Sequence, residues 1–66
     1  MKVKFNNAEI ETKAQNIQDF LAERNMDNKT GIAVALNSSI VAKSNWATQN
    51  INEQDSIMVI TATAGG

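Results

Sequence analysis

The first twelve residues read MKVKFNNAEIET (residues 1–12), and apolar and charged side chains alternate on both sides of a central Asn pair. Val3 and Phe5 alternate with lysines, which is the two-residue period of a half-buried strand. Asn tolerates the positive φ angles of a tight turn, so Asn6 and Asn7 favour a hairpin turn. Because the alternation resumes and runs to Thr12, the chain is predicted to open with a β-hairpin.

A short amphipathic helix is predicted after the hairpin. Asn16 is a favourable N-cap residue, and Ile17, Phe20 and Leu21 fall at positions i, i+3 and i+4 on one helix face. A helix of about nine residues is too short to be stable alone. We therefore expect its apolar face to pack on the hairpin.

Three more strands are predicted in the second half of the chain, at residues 32–36, 40–42 and 56–61. The order β-β-α-β-β-β predicts an α+β domain over residues 1–61, with a mixed sheet of four to five strands and one helix packed across one face. Residues 62–66 carry no large side chain and are predicted to form a flexible C-terminal tail.

The last predicted strand is apolar on both faces, with Ile57 and Val59 pointing one way and Met58 and Ile60 the other. One helix covers only one face of a sheet, so one of these two sets is expected to be exposed. An exposed apolar set indicates a binding surface. The predicted partner-binding residues are Met58, Ile60, Ala62 and Ala35.

The composition excludes several classes of function. The chain has 66 residues with six Lys and Arg against seven Asp and Glu, and it has no Cys and no His. The length predicts a single domain, and the charge balance predicts no nucleic-acid partner. Without Cys and His there are no disulfides, no thiolate or imidazole catalysis and no usual zinc ligands.

Size and hydropathy narrow the classes further. Roughly a dozen large apolar side chains, worth about 2 kcal/mol each when buried, form a core that only just offsets the entropy lost when the chain is ordered. A substrate cleft would have to be formed at the expense of this core. We therefore expect a carrier or interaction module rather than an enzyme, with no bound cofactor and no metal. No run approaches the ~20 apolar residues that span a bilayer, and no secretory signal opens the chain. A cytoplasmic location without membrane association is expected.

The chain ends in Gly65 and Gly66, which offer a free carboxylate on an unencumbered backbone. With Ala62 and Ala64 before it, such a tail can enter a narrow channel of a partner enzyme. A carboxylate reacts with nucleophiles only after activation, usually as an acyl-adenylate formed from ATP. Two interpretations remain open at this point: a terminus that carries chemistry, and an inert end.

Two carboxylate pairs and one Trp are further candidates for functional residues. Glu9 with Glu11, and Glu53 with Asp55, have i, i+2 spacing on a strand face or in a turn, which favours solvated carboxylates over acid–base or metal sites. Trp46 is the only Trp of the chain. It is predicted to close one end of the core, with a partner-anchoring role as the alternative.

The tail, the length and the order of strands resemble the ubiquitin-like β-grasp sulfur carriers, and most closely the ThiS family of thiamine biosynthesis. The similarity covers nearly the whole chain. It includes residues 1–6, the helix start at residues 16–21, residues 34–41, Trp46, and residues 55–66. The family often has Gly in the turn before the last strand, where this chain has Asn52-Glu53-Gln54-Asp55. It often has Pro after the short fourth strand, where this chain has Ala42-Lys43.

The resemblance implies a ubiquitin-like β-grasp fold and a definite chemistry. A ThiF-type adenylyltransferase, which uses ATP, would adenylate the carboxylate of Gly66. Sulfur from a cysteine desulfurase would then replace AMP, and the thiocarboxylate would pass its sulfur to thiazole synthase (ThiG). Gly65 and Ala64 would belong to the threading tail. The alternatives are a molybdopterin-synthase small subunit, another ubiquitin-like sulfur carrier or modifier, and a non-catalytic interaction module.

Overall fold

The computed structural model describes residues 1–28 and 30–61. The predicted tail, residues 62–66, lies outside the described residues. The elements, in chain order, are β1 (Lys2–Phe5), β2 (Ala8–Glu11), α1 (Ile17–Glu23), β3 (Ile32–Leu36), β4 (Ser39–Val41), a 3₁₀ turn (Lys43–Asn45) and β5 (Ser56–Thr61).

The strands form one mixed sheet in the order β2-β1-β5-β3-β4. β1 pairs with β2, and β3 with both β4 and β5, in antiparallel fashion, whereas β1 and β5 run parallel. The first and last strands therefore lie side by side at the centre of the sheet. The predicted fold class is confirmed: the protein is an α+β domain of the ubiquitin-like β-grasp type, with five strands and one helix.

Both antiparallel hairpins turn through two residues with positive φ. Asn6 and Asn7 have φ angles of 49° and 71°, and Asn37 and Ser38 have φ angles of 51° and 74°. Two consecutive left-handed residues match the right-handed twist of the flanking strands. The predicted first hairpin is confirmed, and its turn is the predicted one.

The helix packs its apolar face against the centre of the sheet. The Asn16 side chain accepts a hydrogen bond of 2.8 Å from the Asp19 N–H, which confirms the predicted N-cap. Phe20 is fully buried, and the rest of the core surrounds it. The other fully or almost fully buried side chains are Val3, Ile17, Leu21, Val34 and Ile57. Helix α1 has seven residues rather than about nine, because the chain turns through Asn25 with a φ of 59°.

Trp46 closes one end of this core, as predicted. Its side chain is 2% exposed, and its Nε1 donates a hydrogen bond of 3.1 Å to the carbonyl oxygen of Val41. A buried indole with a satisfied N–H is a structural residue. The alternative of an exposed partner anchor is therefore wrong for this chain.

Arg24, the C-cap residue of α1, lies over two aromatic rings of the domain. Its guanidinium carbon lies 5.6 Å from the ring centroid of Phe5 and 5.5 Å from that of Phe20. A long Arg stem covers apolar surface while its cation faces an aromatic ring. Arg24 thus acts as a cover over the two Phe rings at the end of the helix.

Candidate functional site

The sheet has one face that α1 does not cover, which we call the open face. Cross-strand partners project their side chains on the same face of a sheet. The register pairs Ala35 with Met58 on one side and with Ile40 on the other, and it pairs Ala33 with Ile60. These five residues of β3, β4 and β5 therefore form one continuous apolar patch on the open face.

The apolar patch contains the two large hydrophobic side chains that stand out most into solvent among residues 1–28 and 30–61. Ile40 is 69% exposed and Ile60 is 50% exposed. Ala35 and Met58 are half-buried. The structure thus brings together three of the predicted partner-binding residues, Ala35, Met58 and Ile60, whereas Ala62 lies outside the described residues. Their binding role remains a prediction.

Ile40 belongs to this patch but was not among the predicted site residues. The signal for it was present in the sequence. A two-residue turn at Asn37-Ser38 places Leu36 opposite Ser39 and Ala35 opposite Ile40. Since Ala35 is one of the predicted partner-binding residues, this register places Ile40 on the same face as that residue.

The other half of the open face is charged. The register places Lys2 opposite Glu11 and Lys4 opposite Glu9, and all four side chains are exposed. The single ion pair found within 4.0 Å in the described part of the chain joins the N-terminal amino group of Met1 to Glu11, at 3.1 Å. We call these four residues the charged half; it lies beside the apolar patch and leaves both signs of charge in water.

The second carboxylate pair has a structural role. Glu53 Oε2 accepts a hydrogen bond of 3.0 Å from the Lys2 N–H. Asp55 Oδ2 accepts one of 2.7 Å from the Asn52 N–H, and Asp55 Oδ1 accepts one of 3.0 Å from Asn37 Nδ2. These carboxylates stabilise the turn before β5. Within residues 1–28 and 30–61 there is no cluster of three or more metal-ligating acidic side chains.

A shallow depression of about 320 Å³ lies at the far end of the helix, bordered by Thr12, Lys13, Glu23 and Arg24 among others. The Glu23 carboxylate accepts hydrogen bonds from the Thr12 hydroxyl and from the Lys13 N–H. Thr12 Oγ1 in turn accepts one of 3.0 Å from the Ala14 N–H. These groups tie the end of β2 to α1, so we assign the depression to the architecture of the fold.

β5 carries the chain from the centre of the sheet towards the predicted reactive terminus. Its early part is held by β1, since Lys4 pairs with Ser56 and Phe5 with Ile57. Its late part is held by β3, where Ile32 pairs with Thr61. Ala64, Gly65 and Gly66 follow beyond the described residues. The arrangement anchors the base of the predicted tail in the middle of the sheet and beside the apolar patch.

None of the helices in the described ranges is long and apolar enough to cross a membrane. The model of the ThiS family matches residues 3–66. No curated protein matches the chain.

Solved structures that share the fold include one crystal structure and one NMR solution structure. The crystal structure of a thiamine biosynthesis protein (ThiS) from Geobacter metallireducens aligns with a TM-score of 0.86 and 14% identity, covering 100% of both chains. An NMR solution structure of a thiamine biosynthesis protein from the same organism gives a TM-score of 0.79 and 14% identity, covering 100% of this chain and 88% of the other. At this identity the likeness establishes the β-grasp architecture.

Proposed function

The chain belongs to the ThiS family, and we propose that it is a sulfur carrier whose Gly66 carboxylate is adenylated and then converted to a thiocarboxylate. In this proposal the thiocarboxylate donates its sulfur for thiazole formation in thiamine biosynthesis. The observation that carries the proposal is the extent of the family match, which runs to the terminal Gly65-Gly66 pair. The protein is then a substrate for its partners rather than an enzyme.

The proposed chemistry places all catalysis in the partner enzymes. A ThiF-type adenylyltransferase joins the Gly66 carboxylate to the AMP moiety of ATP, and pyrophosphate leaves. Sulfur derived from a cysteine desulfurase attacks the activated carbonyl as a persulfide, so that AMP leaves and an acyl disulfide forms. A thiol of the partner system then attacks this S–S bond, which releases the thiocarboxylate and leaves a disulfide. The chain itself supplies a carboxylate on two glycines, which have no side chain to obstruct close approach to an active centre.

Docking is proposed to use the apolar patch. Ile40, Ile60 and Met58 present apolar area next to the base of the tail, and an apolar core with a polar rim is the usual anatomy of a protein interface. The charged half then lies at the rim, where it influences the rate of association more than the affinity. Both the adenylyltransferase and the thiazole synthase (ThiG) would dock here, in the cytoplasm.

Intact-mass spectrometry tests the proposal. The purified chain is incubated with a ThiF-type adenylyltransferase, ATP, Mg²⁺ and a sulfide donor, and we expect the mass gain of one oxygen-to-sulfur exchange at the C-terminus. Deletion of Gly66 should abolish this exchange and leave the melting temperature unchanged. Ala22→Ser on the exposed side of α1 is the control and should load normally. An unmodified chain in the complete reaction would contradict the proposal.

The acceptor distinguishes the thiamine pathway from its alternatives. The loaded chain is offered separately to thiazole synthase and to the large subunit of molybdopterin synthase. We expect sulfur transfer to thiazole synthase alone. Transfer to the molybdopterin enzyme would retain the carrier chemistry and reassign the pathway, and failure to load with any adenylating enzyme would favour an interaction module with an inert end.

A further inference from the structure

Within the part of the chain that the structure describes, the C-terminal half of β5 has a partner strand on one side only. Towards β3, the pairing continues from Leu36 and Ile57 to Ile32 and Thr61. Towards β1, the pairing ends with Phe5 opposite Ile57, because the chain turns away at Asn6. A central strand of the sheet thus becomes an edge strand over its last residues.

The direction of the backbone groups on this edge follows from the strand period. The Lys4 N–H donates to the Asp55 carbonyl, and the Asn6 N–H donates to the Ile57 carbonyl, each at 2.9 Å. Backbone groups of alternate residues point to the same side of a strand. The N–H and carbonyl groups of Val59 and Thr61 therefore also point away from β3.

Among the described residues, one of these groups has a hydrogen-bond partner. The Val59 N–H donates a hydrogen bond of 2.9 Å to Oδ1 of Asn6. Within residues 1–28 and 30–61, no hydrogen bond reaches the Val59 carbonyl, the Thr61 N–H or the Thr61 carbonyl on this side. We call this acceptor–donor–acceptor series the free edge of β5.

We propose that the free edge of β5 pairs with an extended segment of the adenylating enzyme, which adds to the sheet as a strand. This inference rests on the proposed function. Addition of a strand to a sheet edge satisfies backbone donors and acceptors spaced two residues apart, as these are. Strand addition uses backbone hydrogen bonds and requires no particular side chains. It is therefore compatible with a strand that is followed by a tail of small residues.

The length of chain beyond Thr61 locates the segment in the enzyme. Residues 62–66 are five residues, and a fully extended chain spans at most about 3.3–3.6 Å per residue, or about 17 Å. The pairing segment must therefore lie within about 17 Å of the point where the carboxylate meets ATP. Pairing at the free edge would also set the direction in which the tail leaves the domain.

Amide hydrogen exchange measured by NMR tests the inference directly. In the isolated chain the Thr61 amide should exchange rapidly, whereas the Ile60 amide, which points towards β3, should exchange slowly. On addition of a ThiF-type adenylyltransferase with ATP, the Thr61 amide should slow at least about tenfold, the effect of one hydrogen bond of about 1.4 kcal/mol. The Ile60 amide serves as the internal reference.

The outcomes separate this inference from the proposed function. If the chain loads sulfur while the Thr61 amide exchanges as fast as in the isolated chain, the inference is wrong and the carrier function stands. If the chain neither binds nor loads, both are wrong. Protection of Thr61 in the isolated chain that increases with concentration would assign the edge to a second copy and would overturn the inference.

A proline substitution gives a second, functional readout. Thr61→Pro removes an N–H that points away from β3, so the pairing of β3 with β5 should survive, and the melting temperature checks this. We expect kcat/KM for sulfur loading to fall about tenfold. Ala42→Pro, at a position with φ −63° and ψ 145°, is the matched control and should load normally. Unchanged loading of a folded Thr61→Pro variant would refute the pairing.

Discussion

The side chain of Asn6 accepts a hydrogen bond from the backbone N–H of Val59 at 2.9 Å, across 53 positions of sequence. Asn6 also turns the first hairpin with a φ of 49°, and its own N–H donates to the Ile57 carbonyl. Asn6 thus follows the last residue of β1 and begins the hairpin turn. Its side chain also supplies a hydrogen-bond acceptor to β5 at the point where β1 no longer pairs with it. It connects the hairpin to the base of the tail.

Replacement of Asn6 tests this connection. Asn6→Ala should lower the free energy of unfolding by about 2 kcal/mol. It removes a hydrogen bond worth about 1 kcal/mol, and alanine tolerates the left-handed backbone conformation less well than asparagine, which costs about 1 kcal/mol more. Asn6→Asp keeps an acceptor and tolerates positive φ, so it should stay within about 0.5 kcal/mol of the parent. Urea unfolding at neutral pH measures both, and equal losses would show that neither the hydrogen bond nor the left-handed backbone conformation accounts for the effect of Asn6→Ala.

Glycine should increase the stability of the protein at two further positions with positive φ. Ser38 has a φ of 74° and Gln54 a φ of 72°. Glycine removes a steric cost of about 1 kcal/mol but adds entropy to the unfolded chain. Each substitution should therefore raise the free energy of unfolding by about 0.5 kcal/mol, measured by thermal or urea unfolding.

Ser39→Gly is the control for these glycines, because Ser39 lies in β4 next to Ser38 and is not a positive-φ residue. Glycine inside a strand should destabilise the protein by about 0.5–1 kcal/mol. A gain in stability at Ser39 as large as that at Ser38 would mean that backbone strain is not the cause.

Charge placed on the apolar patch should block docking and leave the fold intact. Ile40→Glu and Ile60→Glu change side chains that are 69% and 50% exposed, so the melting temperature should change little. Loss of a central apolar contact costs about 2 kcal/mol of binding, which corresponds to a roughly thirtyfold loss in kcat/KM for sulfur loading. Ala22→Glu, on the exposed side of α1, is the control. Normal loading of both Ile variants would remove the patch from the interface.

A proline fits the turn after β4. Ala42 has φ −63° and ψ 145°, angles that proline adopts without strain. Ala42→Pro should raise the free energy of unfolding by about 0.4–1 kcal/mol, because proline lowers the conformational entropy of the unfolded chain. Thr48→Pro is the contrast, because the Thr48 N–H donates a hydrogen bond of 3.1 Å to the Asn45 carbonyl, and it should destabilise. Calorimetry on the two variants distinguishes these effects.

Local patterns in the sequence predicted most of the elements. Alternation around Asn6-Asn7 predicted the first hairpin, and the N-cap at Asn16 predicted the start of the helix. The fourth strand, predicted at residues 40–42, lies at Ser39–Val41 because the turn before it has only two residues, Asn37 and Ser38. The family's Gly before the last strand also has a physical counterpart here, since Gln54 occupies the left-handed region in that turn.

Long-range contacts could not be predicted from such patterns. Nothing local to residues 4–5 or 56–57 indicates that they pair in parallel. The stacking of Arg24 on Phe5 and Phe20 depends on where the helix ends relative to β1. The candidate site divides in the same way: the outward direction of Met58 and Ile60 followed from the strand period, whereas the free edge required the sheet order and the end of β1.

The position of β5 beside β1 also has a consequence for folding during synthesis of the chain on the ribosome. The two strands at the middle of the sheet are separated by some fifty intervening residues, so their contacts have the high sequence separation that slows folding. While a ribosome still holds Ile57, the emerging hairpin and helix have no central strand to pack on. Native structure should therefore form only after the last strand has left the ribosome. The protease resistance of nascent chains stalled at different lengths would measure when this happens.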